Sequence, residues 1–73
     1  MRTETCIDVN GDRVDVFCVN GIVSMKAIPA TGDYPPSEDV IGPSKEALRF
    51  ADAIENSGDP ALASAIRMVI SKS

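Results

Sequence analysis

The chain has no histidine and no tryptophan, and only two cysteines, one tyrosine and two phenylalanines. Its seven cations are outnumbered by eleven carboxylates. Each shortage removes a class of chemistry. Without histidine there is no general base that titrates near neutrality, no Ser–His or Cys–His nucleophile pair and no imidazole metal ligand. Two cysteines are too few for a closed four-thiolate zinc site. Three aromatic side chains offer little surface for base stacking, and a net charge of −4 repels nucleic-acid phosphates. No G-x-G-x-x-G or P-loop pattern occurs, nor any N-x-S/T site. No apolar run approaches the ~18 residues of a membrane span. No basic stretch leads into an apolar one near Met1. The expectation is a cytoplasmic, non-catalytic protein with no cofactor, no metal and no membrane contact.

What is present is enough for one small domain spanning residues 1–73. Residues 3–28 carry two Asn-Gly dipeptides, Asn10-Gly11 and Asn20-Gly21, each flanked by β-branched residues. Asn-Gly favours the two-residue type I′ hairpin turn, because both central positions need positive φ. Three strands follow, at about 3–9, 12–19 and 22–28, forming an antiparallel meander.

Two-residue loops place Ile7 opposite Val14 and Thr5 opposite Val16, then Cys18 opposite Val23, Val16 opposite Met25 and Val14 opposite Ala27. Opposed residues share a face. One face then collects Ile7, Val9, Val14, Val16, Cys18, Val23, Met25 and Ala27. The other collects Glu4, Cys6, Asp8, Arg13, Asp15, Phe17, Val19, Ile22, Ser24, Lys26 and Ile28, with Asp8 against Arg13 and Asp15 against Lys26. Cys6 and Cys18 fall on opposite faces, so no disulfide is expected between them.

Residues 29–43 hold four prolines and two glycines and read as a long connection. It is either a binding loop or a crossover to the first helix, and Val40 and Ile41 can tuck inward or add a short edge strand. A helix at 44–57 begins at Gly42-Pro43-Ser44, buries Ala47, Phe50, Ala51 and Ile54 with Leu48 alongside, and ends at Gly58. Asp59-Pro60 opens a second helix at 60–72, with Leu62, Ala65, Ile66, Val69 and Ile70 on one stripe. The fold class is therefore α+β in two layers: a three-stranded antiparallel meander followed by two helices packed on one face, βββαα.

Candidate partner-binding residues form two groups. Phe17, Val19, Ile22 and Ile28 are apolar on a face that otherwise pairs its charges. They form either an interaction patch, with a homodimer as its simplest use, or a surface lidded by Tyr34-Pro35-Pro36. The second group is acidic. Residues 33–59 hold Asp33, Glu38, Asp39, Glu46, Asp52, Glu55 and Asp59 against Lys45 and Arg49, a net −5. This is either a docking surface for a basic groove or a solvated helix face with helix-start acids. Asp8, Asn10 and Asp12 imitate the start of a calcium loop, but Arg13 and Val19 stand where glycine and glutamate are required. Cys6 has no histidine to lower its pKa.

These features point to a small protein that acts by binding another protein or by self-association. Size, acidity and element order are similar to those of small accessory proteins of phages and mobile elements, including inhibitors of host defence nucleases, and no motif adds to that likeness. The rival is an enzyme subunit whose site, completed by a partner chain, uses Asp33, Tyr34 or Glu38 of loop 29–43. A weaker rival is a nucleic-acid binder using Arg67 and Lys72 of the second helix.

Overall fold

The computed structural model describes residues 2–72. Its elements run β1 (Arg2–Ile7), β2 (Arg13–Val19), β3 (Ile22–Ile28), β4 (Ser37–Pro43), α1 (Ser44–Asn56) and α2 (Pro60–Ser71). The strands pair antiparallel in sequence order, and both helices pack on one face of the sheet. The α+β, two-layer expectation holds. The sheet has four strands rather than three, because the second half of the expected loop 29–43 is β4.

The second hairpin matches its sequence signal. Asn20 and Gly21 have φ of 54° and 79°, the type I′ requirement. Cys18 faces Val23, Val16 faces Met25 and Val14 faces Ala27.

The first hairpin does not. Asn10 does not adopt positive φ, and only Gly11 does, at 86°. The Gly11 amide donates to the Asp8 carbonyl at 3.0 Å, closing a type I turn over residues 8–11, and the Asp8 amide donates to the Asp12 carbonyl at 2.9 Å. The result is a three-residue loop of a type I turn followed by a left-handed glycine. Asp8 drives the choice. Its Oδ1 accepts from the Asn10 amide at 2.8 Å and the Asp12 amide at 3.0 Å, and Asp is favoured at the first position of a type I turn. One extra loop residue moves β1 by one place.

Ile7 therefore pairs with Arg13, Cys6 with Val14 and Thr5 with Asp15. A one-residue slip exchanges the faces of a strand. Ile7 and Val9, expected in the core, are 57% and 68% exposed. Cys6 and Glu4 instead turn to the helix side. Cys6 packs against the core, and Glu4 meets Lys72, the C-cap residue of α2, at 2.8 Å. Both cysteines now share a face but form no disulfide. Cys6 lies opposite Val14 and Cys18 opposite Arg2. Four residues of strand, roughly 13 Å, separate those rows, beyond disulfide reach.

β4 pairs with β3 from Ile22–Pro43 to Ala27–Ser37, with a bulge at Val23/Ser24. The bulge leaves Ile41 as the extra residue, and Ile41 packs against the core. Bulges occur at sheet edges, where they bend the strand.

α1 begins at Ser44 as its start signal implies. The Ser44 amide and hydroxyl both donate to the Gly21 carbonyl, at 2.9 and 3.2 Å, tying the helix start to the β2–β3 turn. At the other end Gly58 (φ 102°) donates to the Glu55 carbonyl and Asp59 to the Ile54 carbonyl. This is the paired hydrogen-bond pattern of a Schellman cap. The Asp59 side chain then accepts from the Leu62 amide and caps α2, with Pro60 in its first turn. One residue thus closes one helix and opens the next, which makes the corner sharp.

The core joins Val14, Val16, Cys18 and Val23 of the sheet to Ala47 and Ala51 of α1 and Leu62, Ala63, Ala65, Ile66 and Val69 of α2. α1 contributes small side chains. α2 supplies the bulk. Phe50 and Leu48, expected on or beside the buried stripe of α1, are 37% and 41% exposed. The outcome is a slab of 33 × 26 × 16 Å, with helices on one broad side and bare sheet on the other.

Candidate interaction face

The bare side of the sheet can be read row by row from the strand register. Nearest the β2–β3 turn, Val19 and Ile22 are paired. The next row holds Thr3, Phe17, Ser24 and Val40, and the one after it Thr5, Asp15, Lys26 and Glu38. The last holds Ile7, Arg13 and Ile28. Phe17, Val19, Ile22 and Ile28 do share this face. The slip in β1 adds Ile7 to it, and β4 adds Val40.

The two ends of the face differ in chemistry. The upper rows are apolar. Val40 is 73% exposed, and Val19 and Ile22 about two-fifths. Ser24 is small, so Phe17 and Val40 stand apart on either side of it. A shallow open cavity of about 270 Å³ lies there, lined by Phe17, Ser24, Met25, Glu38, Asp39 and Val40. The lower rows are charged but internally matched. Arg13 donates to both carboxylate oxygens of Asp15, at 3.2 and 3.1 Å, and the Thr5 hydroxyl donates to Asp15 at 2.9 Å. The Arg13 guanidinium, more than the Thr5 hydroxyl, holds the largely buried Asp15 carboxyl below its ordinary pKa against the opposing effect of burial. Lys26 faces Asp15 on one side and Glu38 on the other.

The lid alternative is not realised. Tyr34 is 72% exposed, and Pro35 and Pro36 are exposed beside it. What remains of the loop, residues 29–36, turns over at Gly32, whose amide donates to the Pro29 carbonyl. It is fastened to the first hairpin by the Ala30 amide, which donates to Asp12 at 3.1 Å.

The acidic group is split. Asp33 is on the loop, Glu38 and Asp39 are on β4, and Asp52 and Glu55 are on α1. The last two are occupied. Arg67 of α2 donates to Glu55 at 2.9 Å and to Asp52 at 2.7 Å. Glu55 is held below its ordinary pKa by this contact, and Arg67 is held firmly protonated. Arg67, rather than Arg49, therefore offsets these acids. With Lys72 paired to Glu4, the two cations proposed for phosphate contact are both engaged within the fold.

The remaining chemical candidates fare no better. No group of three or more His, Cys, Asp or Glu side chains among the described residues is arranged to hold a metal ion. Asp8 is committed to backbone amides of its turn. Burial, followed by the charges of Asp59, Asp8 and Asp15, pushes the Cys6 thiol above its ordinary pKa, the wrong direction for a nucleophile. Among the described residues no helix is long and apolar enough to cross a membrane.

No protein-family model, no curated protein and no solved structure matches this chain.

The missed apolar members of the face were Ile7 and Val40. A signal existed for Ile7, since Asp8 at the first position of a type I turn competes with the Asn-Gly reading. For Val40 the alternation of Glu38 and Val40 on one side of a strand is consistent with β4, but short runs between prolines carry little periodicity.

Proposed function

We propose that this chain is a non-catalytic binding protein that docks another protein chain on the uncovered face of its sheet. The observation that carries this reading is the exposed apolar row of Val19, Ile22 and Val40 around Phe17, over which no part of the described chain folds. Exposed apolar side chains are common one at a time. Here they adjoin one another, and Phe17 and Val40 line a concavity, the pattern of a contact surface. The burial that raises the Cys6 thiol pKa and the committed turn role of Asp8 support a binding role over a catalytic one.

The test is affinity capture with tagged chain from its native host, comparing wild type with Ile22→Glu and with Tyr34→Ala. Both positions are exposed, so both variants should fold, as circular dichroism will check. The expected result is loss of the captured species with Ile22→Glu and its retention with Tyr34→Ala. Retention with Ile22→Glu and with Val40→Glu removes this face from the interaction.

A further inference from the structure

We infer that the occupant of the uncovered sheet face is a second copy of this chain, packed sheet against sheet about a two-fold axis; this rests on the docking role proposed above. Three features of the molecule lead there.

The first is charge. The whole chain carries −4, yet the bare face is balanced. Its ionised side chains are Arg13, Lys26, Asp15 and Glu38, and the register sets each cation beside a carboxylate. Of the other acids, Asp39 stands on β4 at the rim of the face, in register with Met25, and the rest lie on the turns and the loop and around the helices. A cationic partner would find no net negative field here, whereas a second copy meets no net repulsion. A two-fold contact brings the same patch to both sides, so balance on one copy is balance across the interface.

The second is the character of the β4 edge. Small sheet proteins also join edge to edge, extending one sheet into another. The β4 edge resists this. It carries Glu38 and Asp39 in succession, a bulge, and Pro43 at its end. Pairing β4 with its own copy would bring these carboxylates together, and like charges set opposite each other destabilise a ladder. Pairing through β4 is thereby disfavoured, while the apolar rows of the face set no like charges against each other.

The third is area. Four strands of six or seven residues spread over roughly 20 × 20 Å at ~4.8 Å between strands and ~3.3 Å per residue, which puts the face at the low end of interface sizes, where weak and reversible contacts lie. Two sheets packed face to face lie ~10 Å apart with strands within about 30° of each other. The resulting order is helices, sheet, sheet, helices. Phe17, Val19, Ile22 and Val40 then lie between the sheets. A chain this short buries only ~60% of its unfolded surface alone, so burial of this row adds to a small core.

The test is the solution mass by sedimentation equilibrium and light scattering, up to about 0.5 mM chain, where even a ~0.1 mM dimer is well populated. The expected mass is twice 7.7 kDa. Ile22→Glu and Val40→Glu each enter the interface twice and should raise the dissociation constant at least about tenfold. Leu48→Glu, on exposed α1 surface, should leave it unchanged. Added salt should hold or tighten the dimer, since it screens the repulsion between two acidic chains. A wild-type mass of one chain throughout overturns the inference, as does a dimer indifferent to Ile22→Glu and Val40→Glu. If the wild type is monomeric while Ile22→Glu abolishes capture of a different protein, the second copy is refuted and the docking role stands. If it is monomeric and capture ignores Ile22→Glu and Val40→Glu, both fall.

Discussion

The Thr5 hydroxyl donates to Asp15 Oδ1 at 2.9 Å across the β1–β2 boundary, on the side of the sheet away from the helices. Asp15 is nearly buried there and also receives Arg13. A carboxylate in that position is tolerated because its oxygens accept three hydrogen bonds from two side chains.

Asp15 should make stability acid-sensitive. Its folded pKa is depressed, chiefly by Arg13. Its contribution is therefore present above the unfolded value of about 3.9 and is lost as pH falls through the lower folded value. Asp15→Asn is expected to lower stability at neutral pH by about 1–3 kcal/mol. It should also shrink the difference between urea midpoints measured at neutral and at strongly acidic pH. An unchanged difference would assign the acid-sensitivity elsewhere.

The Asp8 turn gives a second measurement. Asp8→Ala removes one acceptor that serves two amides and should cost about 1–2 kcal/mol. Gly11→Ala meets no neighbour within 4 Å but must adopt φ of +86°, at about 1–2 kcal/mol. Denaturant unfolding reads both. A Gly11→Ala variant as stable as wild type would contradict the left-handed turn.

Ile66 and Ile7 form a contrasting pair. Ile66 is fully buried and Ile7 mostly exposed. Ile66→Ala should lose about 2–5 kcal/mol. Ile7→Ala should stay within about 0.5 kcal/mol in the monomeric state. A large loss at Ile7 would restore the two-residue turn and turn Ile7 inward.

Arg67 links the helices through exposed ion pairs. Arg67→Ala should lower the unfolding midpoint in dilute buffer, and the loss should fade at high salt. With the guanidinium gone, the Glu55 pKa should rise toward its ordinary value, since the Arg67 hydrogen bond is the main cause of its depression. A carboxyl-carbon NMR titration measures this directly, and an unmoved Glu55 would deny the contact.

Much of the fold was legible in particular residues. Asn20-Gly21 set one hairpin and its register to the residue. Gly58, Asp59 and Pro60 marked both helix boundaries and the corner between them. The stripe of Leu62, Ala65, Ile66 and Val69 marked the buried side of α2. Of the candidate face, Phe17, Val19, Ile22 and Ile28 were legible through β2–β3 alternation alone, while Ile7 depended on a turn that two local signals contested.

The sequence by itself determined the features that depend on near neighbours: capped helices, the type I′ turn and the pairing of β2 with β3. Only the tertiary structure decided how Asn10-Gly11 is used, that Ser37–Pro43 joins the sheet as an edge, and that Arg67 takes Asp52 and Glu55. Those outcomes compare energies across distant segments. An Asp8 side chain that can satisfy two amides, a Thr5–Asp15 contact, a core with room for Cys6 and a helix end within reach of Glu4 together outweigh the burial of Ile7 and Val9, and no window of a few residues contains that comparison.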